Sequence, residues 1–222
     1  MAALSHSHAT STDRPALSQP RCPPTSSPIP NPPLSRSTPP DVVIDPDVPV
    51  PQWPLSDRGR ARMQAMLHLP WVKDISALYC SSEQKALDGA VILGAHLGLA
   101  PNIRDDLGEN DRSSTGYLPK AAFLAHVTRF FAEPERSIDG WEPAQAAQDR
   151  IVAAIKQIAR LEDSQPRVAV VAHGGVGALL LTSLMARPIS MDQEQPGLTG
   201  GNYFTFDAAT WELSHGWCAI DP

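Results

Sequence analysis

Residues 167–177, Arg-Val-Ala-Val-Val-Ala-His-Gly-Gly-Val-Gly, limit the possible folds more than any other stretch of the chain. An unbroken apolar strand ends in His-Gly-Gly, and a helix is predicted at once over residues 176–185. A strand that feeds a helix through so short a turn is the repeating unit of an α/β sheet. The rest of the chain repeats the alternation. Residues 75–80 (Ile-Ser-Ala-Leu-Tyr-Cys) read as a buried strand, followed by caps at Ser81-Ser82 and a helix to Leu97, ended by Gly98. Ser56 caps a helix with Met63, Met66 and Leu67 on its apolar face. Pro119 opens a helix through Phe131, and a long amphipathic helix covers residues 144–161. Residues 102–116 read as a polar loop, and residues 202–206 and 211–215 as a terminal strand pair. The fold class is therefore α/β with a largely parallel sheet.

The first forty residues are of another kind. They hold ten of the 23 prolines, eight serines and four threonines, including Pro23-Pro24, Pro32-Pro33 and Pro39-Pro40. Such a composition buries too little apolar surface to offset its ordering entropy, and proline removes ladder donors. Residues 1–40 are expected to be a disordered tail, and residues 41–222 the folded domain. Arg14, Arg21 and Arg36 against the single acid Asp13 resemble a transit peptide in composition. A plain linker and an out-of-register translation are the other origins the segment allows. The expected location is the cytoplasm, or an organelle if the segment is a transit peptide.

The 222 residues carry a formal net charge of −6, which argues against a nucleic-acid protein, since that would show a basic face or stripe. No apolar run approaches the ~18 residues of a membrane span. Cys22, Cys80 and Cys218 are too few and too scattered for a zinc knuckle or a disulfide framework.

Chemistry concentrates at two strand-to-helix turns. In an open α/β sheet, ligands bind beyond the carboxyl ends of the strands. After residue 172, His173-Gly174-Gly175 exposes backbone amides at a helix start, where partial positive charge collects. His173 as imidazolium would add a donor and a charge. Taken alone, this turn is equally compatible with a histidine bonded to a carbonyl. The second turn, Cys80-Ser81-Ser82-Glu83-Gln84-Lys85, offers hydroxyls, amides and an ammonium group. Both turns open onto one sheet edge, so they predict one oxyanion pocket shared by His173 and Lys85. The acidic loop Leu107-Gly108-Glu109-Asn110-Asp111-Arg112 could supply a general acid, if a nearby anion raised its pKa. A serine hydrolase would need a Gly-x-Ser-x-Gly elbow, which the chain lacks. Cysteine-phosphatase chemistry at Cys80 would need an arginine six residues on, where Ala86 stands.

These motifs, with Trp53-Pro54-Leu55-Ser56-Asp57-Arg58-Gly59, Gly140-Trp141-Glu142 and Gly201-Asn202-Tyr203-Phe204, resemble the histidine phosphatase superfamily, the phosphoglycerate-mutase-like fold, from about Trp53 to Asp207. The resemblance implies a three-layer sandwich, a mixed, mostly parallel sheet with helices on both faces. It implies phosphomonoester hydrolysis without metal or organic cofactor, on a phosphorylated small molecule. Specificity would lie in the insert around residues 105–136. Glu109 and His173 would be catalytic, and Ser82, Lys85, His173 and Gly174 would bind the phosphate. The departure is at the nucleophile. The family's Arg-His-Gly motif should precede Trp53, and the best alignment places Thr38-Pro39-Pro40 there. Proline is no nucleophile, and threonine offers no guanidinium fork. The motif's strand would fall in residues 28–37, so the first strand is expected to be at risk of loss and turnover to be impaired. A non-catalytic phospholigand-binding module is the alternative. Membrane and nucleic-acid partners are not expected, and oligomeric state is open.

Overall fold

A computed structural model of the protein describes residues 34–37 (backbone pairing only), 41–162, 167–197 and 200–221. The described strands are β1 (Leu34–Ser37), β2 (Ile75–Ser81), β3 (Asn102–Arg104), β4 (Arg167–Val171), β5 (Asn202–Phe206) and β6 (Leu213–Ala219). The helices are α1 (Asp57–Met66), α2 (Gln84–Leu97), α3 (Lys120–Ala132), α4 (Ala144–Leu161) and α5 (Gly174–Leu184). The strands form one sheet in the order β3-β2-β4-β1-β5-β6. β1, β2, β3 and β4 run parallel, while β5 and β6 are antiparallel. This is the mixed, mostly parallel sheet expected.

Period-two alternation splits the interior into two cores. Ala77, Tyr79, Val168, Val170, Phe204 and Phe206 face α3, α4 and α5, packing with Phe130, Trp141, Ile151, Ile155 and Leu179. Leu78, Cys80, Ala169, Val171 and Tyr203 face α1 and α2, packing with Met63, Met66, Ala90 and Leu93. β4 contributes to both, so its sequence is apolar at every position from Val168 to Val171 rather than alternating. Phe130, Phe131 and Trp141 belong to the first core. No helix among the described residues is long and apolar enough to cross a membrane.

Local sequence sets the element ends. Ser56 Oγ accepts from the Gly59 amide at 3.1 Å and caps α1. Gly98 takes φ of 70° and closes α2, a conformation that would strain a residue with a Cβ. α5 begins two residues earlier than the apolar pattern indicated, because Gly174 and Gly175 already adopt helical geometry. The segment read as a polar loop contains an edge strand, β3, and a 3-10 turn at Asp105–Leu107. Three residues were too few for a visible alternation.

One expectation needs correcting. The first strand is not lost, and not all of residues 1–40 lies outside the fold. Leu34–Ser37 is a central strand, parallel to β4 (Ser37 opposite Val171) and antiparallel to β5 (Arg36 opposite Phe204). These four residues lie between Pro33 and Pro39 and none is proline, so every one can donate to a ladder. Residues 1–33 and 38–40, with the remaining expectations for that segment, lie outside the described residues.

Arg36→Pro tests this placement. It removes an N–H from a strand paired on both sides and should destabilise by on the order of 2 kcal/mol or more. Thermal unfolding beside the wild type measures it. If residue 36 lay outside the sheet, the midpoint would not move.

Candidate active site

β2 and β4 are parallel neighbours, with Cys80 opposite Val171. The turns that follow them therefore open at one edge of the sheet, as the sequence predicted. His173 is the N-cap of α5 and is 2% exposed. Glu83 is the N-cap of α2, a place expected for the serines. Ser81 is fully buried and its Oγ accepts the Glu83 amide at 3.2 Å, while Ser82 is exposed.

The two turns meet through a carboxylate that sequence reasoning did not assign. Glu83 Oε1 lies 3.3 Å from His173 Nε2 and accepts the Glu109 amide at 2.8 Å. Its Oε2 is ion-paired with Lys85 Nζ. Lys85 also donates to the Val50 carbonyl at 3.4 Å. The expected convergence of His173 and Lys85 holds, since both side chains touch Glu83. Burial pushes the Glu83 carboxyl up, but the charges of His173 and Lys85, with hydrogen bonds from Lys85 and the Glu109 amide, bring it to about 2.

A second carboxylate covers the helix start. Glu109 Oε2 accepts the Gly175 amide and Oε1 the Val176 amide, each at 2.9 Å. These are among the first-turn donors that no carbonyl within α5 can satisfy. A Cβ on Gly175 would stand 2.7 Å from Glu109 Oε1, and one on Gly174 would stand 2.3 Å from Gln195 Nε2. The Gly-Gly pair is thus needed for side chains to approach the backbone this closely. Burial pushes the Glu109 carboxyl up, and the Glu83 charge adds to that. Arg112, His173 and the Gly175 hydrogen bond outweigh both, so the group titrates below its ordinary range. The expected upward shift for a general acid is therefore not found: the cations and amides around Glu109 outweigh burial and the charge of Glu83.

Glu194, just past the turn Met191–Gln193, is partly open to solvent, yet desolvation and the Glu109 charge push its carboxyl up to about 7. Asn110 is 7% exposed, and its side-chain amide nitrogen has no hydrogen-bond partner among the described residues. Glu83, Glu194 and Gln195 went unassigned because no rule of spacing links them to His173. Only the fold brings them together. Among the described residues, no group of three or more His, Cys, Asp or Glu side chains is placed to hold a metal ion.

The family model for the histidine phosphatase superfamily (branch 1) matches residues 48–216. The chain belongs to the histidine phosphatase superfamily. Its fold is that of a mycobacterial glucosyl-3-phosphoglycerate phosphatase solved with inorganic phosphate (TM-score 0.68, 18% identity, 86% of this chain and 99% of that one). It is also that of Bacillus stearothermophilus YhfR (TM-score 0.69, 16% identity, 82% and 94%). The alpha-ribazole phosphatase of Shigella flexneri is a third such structure (TM-score 0.60, 20% identity, 83% and 95%). A comparison with curated protein sequences finds no match. In this superfamily member, the two turns singled out from sequence are the two corners that meet at Glu83.

The Glu83 pairings predict an acid-sensitive stability. The folded-state pKa of about 2 lies below the ordinary 4.5. The stabilisation is therefore complete above about 4.5 and is lost as pH falls through about 2. It amounts to on the order of 3 kcal/mol. Chemical denaturation from pH 6 down to pH 2 should show this slope in the wild type, and Glu83→Gln should flatten it.

Proposed function

We propose that the described site is a phosphomonoester site whose hydrolytic turnover is impaired in this chain. The observation that carries the reading is the carboxylate of Glu109 bound by the Gly175 and Val176 amides, with His173 and Lys85 beside it. Donors that hold one oxyanion at a helix start are built to hold another. A phosphoryl group has three acceptor oxygens and more charge than a carboxylate, so it competes for the same amides. It would seat on Gly174, Gly175 and Val176 with His173 against it and Lys85 as a point charge. Lys85 supplies charge without the two-pronged geometry of arginine.

Seating the phosphoryl group would move Glu109 away from its amides and toward an anion. Both changes raise its pKa, and a carboxyl so raised can carry a proton to a leaving oxygen. The acid's role thus depends on the ligand being bound. The solved structures of similar fold include phosphatases of a glucosyl phosphoglycerate and of alpha-ribazole phosphate, which supports a phosphorylated small molecule as the ligand class here.

The missing part is the nucleophile. The resemblance assigns it to an Arg-His-Gly motif, and this chain has no histidine between His8 and His68. That observation favours the second reading, a module that binds a phospholigand without turning it over. Losing the nucleophile of a catalytic unit removes most of its rate.

Titration with inorganic phosphate, followed at the Gly175 and Val176 amide resonances, tests the site. Both amides should shift in the wild type and not in His173→Ala. Glu109→Gln removes a competing charge and should tighten phosphate about tenfold or more at neutral pH. Hydrolysis of an aryl phosphate should stay near background. The triple change Thr38→Arg, Pro39→His, Pro40→Gly should raise it. Unmoved amides would refute the phosphate site, and wild-type turnover abolished by His173→Ala would refute the impairment.

A further inference from the structure

The loop that carries Glu109 is held from outside the pocket by one side chain. Arg150 lies on the second turn of α4. Its Nε donates to Glu142 Oε1 at 2.9 Å, and its Nη2 to Glu142 Oε2 at 2.7 Å and to the Glu109 carbonyl at 3.2 Å. Its Nη1 donates to the carbonyls of Asp106 and Gly108, each at 3.0 Å. A guanidinium has five N–H donors in a rigid plane, and these five contacts use them all. Glu142, the acceptor at the other end, is bound into the same loop. Its Oε2 accepts the Asp111 amide at 3.2 Å, and its own amide donates to the Asp111 carbonyl at 2.9 Å.

We infer that Arg150 is a positioning residue, which with Glu142 fixes the backbone of residues 106–111 so that the Glu109 carboxylate is presented to the start of α5. The inference deepens the proposed function, because it names what sets the acid's place in that site. Three carbonyls of the loop point at one cation, and beyond the 3-10 bond from the Gly108 amide to the Asp105 carbonyl at 3.0 Å no helical or ladder hydrogen bond among the described residues holds this stretch. Leu107, fully buried, anchors the loop by packing, and the Glu109 amide donates to Glu83 Oε1 at 2.8 Å, but neither fixes how the carbonyls of Asp106, Gly108 and Glu109 turn. The guanidinium plane removes that freedom. Lysine could not replace it, since an ammonium has three donors radiating from one point.

The charged groups that face Glu109 are His173 at the start of α5, Glu83 at the start of α2, Arg112 in its own loop, Glu194 after the Met191–Gln193 turn, and Arg150 itself. Replacing Arg150 by an apolar residue therefore changes both geometry and charge. Arg150→Lys keeps the charge and changes only the geometry, so the two variants separate the effects.

The experiment follows the carboxyl carbon of Glu109 and the amide protons of Gly175 and Val176 by NMR through an acid titration. It uses the full chain as wild type, Arg150→Lys, Arg150→Met and Glu142→Gln. In the wild type, both amides should lie downfield and move together with the Glu109 titration. In Arg150→Met and Arg150→Lys, Glu109 should titrate at higher pH, and the linked downfield shift should collapse. Glu142→Gln keeps the three carbonyl contacts and should fall between. A wild-type titration in Arg150→Lys would show that charge alone suffices and would overturn the inference. Loss of the folded spectrum in Arg150→Lys would also overturn it, by making the clamp a requirement of the whole fold. None of these readouts involves phosphate or turnover. If phosphate failed to move Gly175 and Val176 in any variant, the proposed function would fail while the role of Arg150 stood.

Discussion

The start of α5 governs the arrangement of this molecule's active edge. Three things happen there between Val171 and Val176: β4 ends, His173 caps the helix, and the amides of Gly175 and Val176 meet the Glu109 carboxylate. Unbonded amides at a buried helix start carry a cost comparable to a lost hydrogen bond each. The chain satisfies them with a carboxylate from a loop about sixty-five residues upstream, rather than with the side chain of the cap. A Ser or Asp at the cap could have bonded one of them locally, but a Cβ at either of the next two positions would stand where Gln195 and Glu109 now lie. The glycines keep that space open. An arrangement in which the capping anion comes from a separate element is one in which the anion can be exchanged.

The electrostatics follow from that exchangeable contact. Two carboxylates, Glu83 and Glu109, are drawn into a region of low solvent exposure by Lys85, His173, Arg112 and helix amides. Glu83 lies between the first two cations and also accepts the Glu109 amide, so the two acids are held by one another's supports. Their mutual repulsion is offset by opposite charge on either side. A phosphoryl ligand arriving with charge near −2 would reverse the balance in favour of protonating one carboxyl, and Glu109 is the one bound only through its oxygens to backbone donors. Glu83, paired to a lysine and beside a histidine, is the better held of the two.

Much of this could be read in the amino-acid sequence, and the parts that could not share a physical cause. α2, α4, β2 and β4 announce themselves through local periodicity and caps, and both strand-to-helix turns were placed by composition alone. The convergence of His173 and Lys85 followed from the rule that adjacent parallel strands open at one edge. β1 was misread because its signal is not local. Four residues between prolines show no alternation worth the name, yet the edges of β4 and β5 each offer a ladder to whatever backbone can fill the gap between them. Glu83 was passed over because its neighbours in sequence, Ser82 and Lys85, looked like the chemistry. Arg150 was invisible for the opposite reason. It sits on the polar side of an amphipathic helix, where an arginine ordinarily means only solvent, and its partners are about forty residues away.

The same distinction separates what the sheet requires of its first strand from what the start of α5 requires. A strand inserted between β4 and β5 needs only backbone donors and acceptors, which Leu34–Ser37 supply whatever follows them. Nothing in that ladder depends on the identity of a side chain. The start of α5 is different, because its amides hold the Glu109 carboxylate and the cations beside them neutralise carboxylates already buried. Removing His173 or Lys85 would leave the buried Glu83 carboxylate with one cation fewer. Structural need therefore ties the identities of His173 and Lys85 to the fold itself, whereas the first strand leaves the side chains around it free to vary.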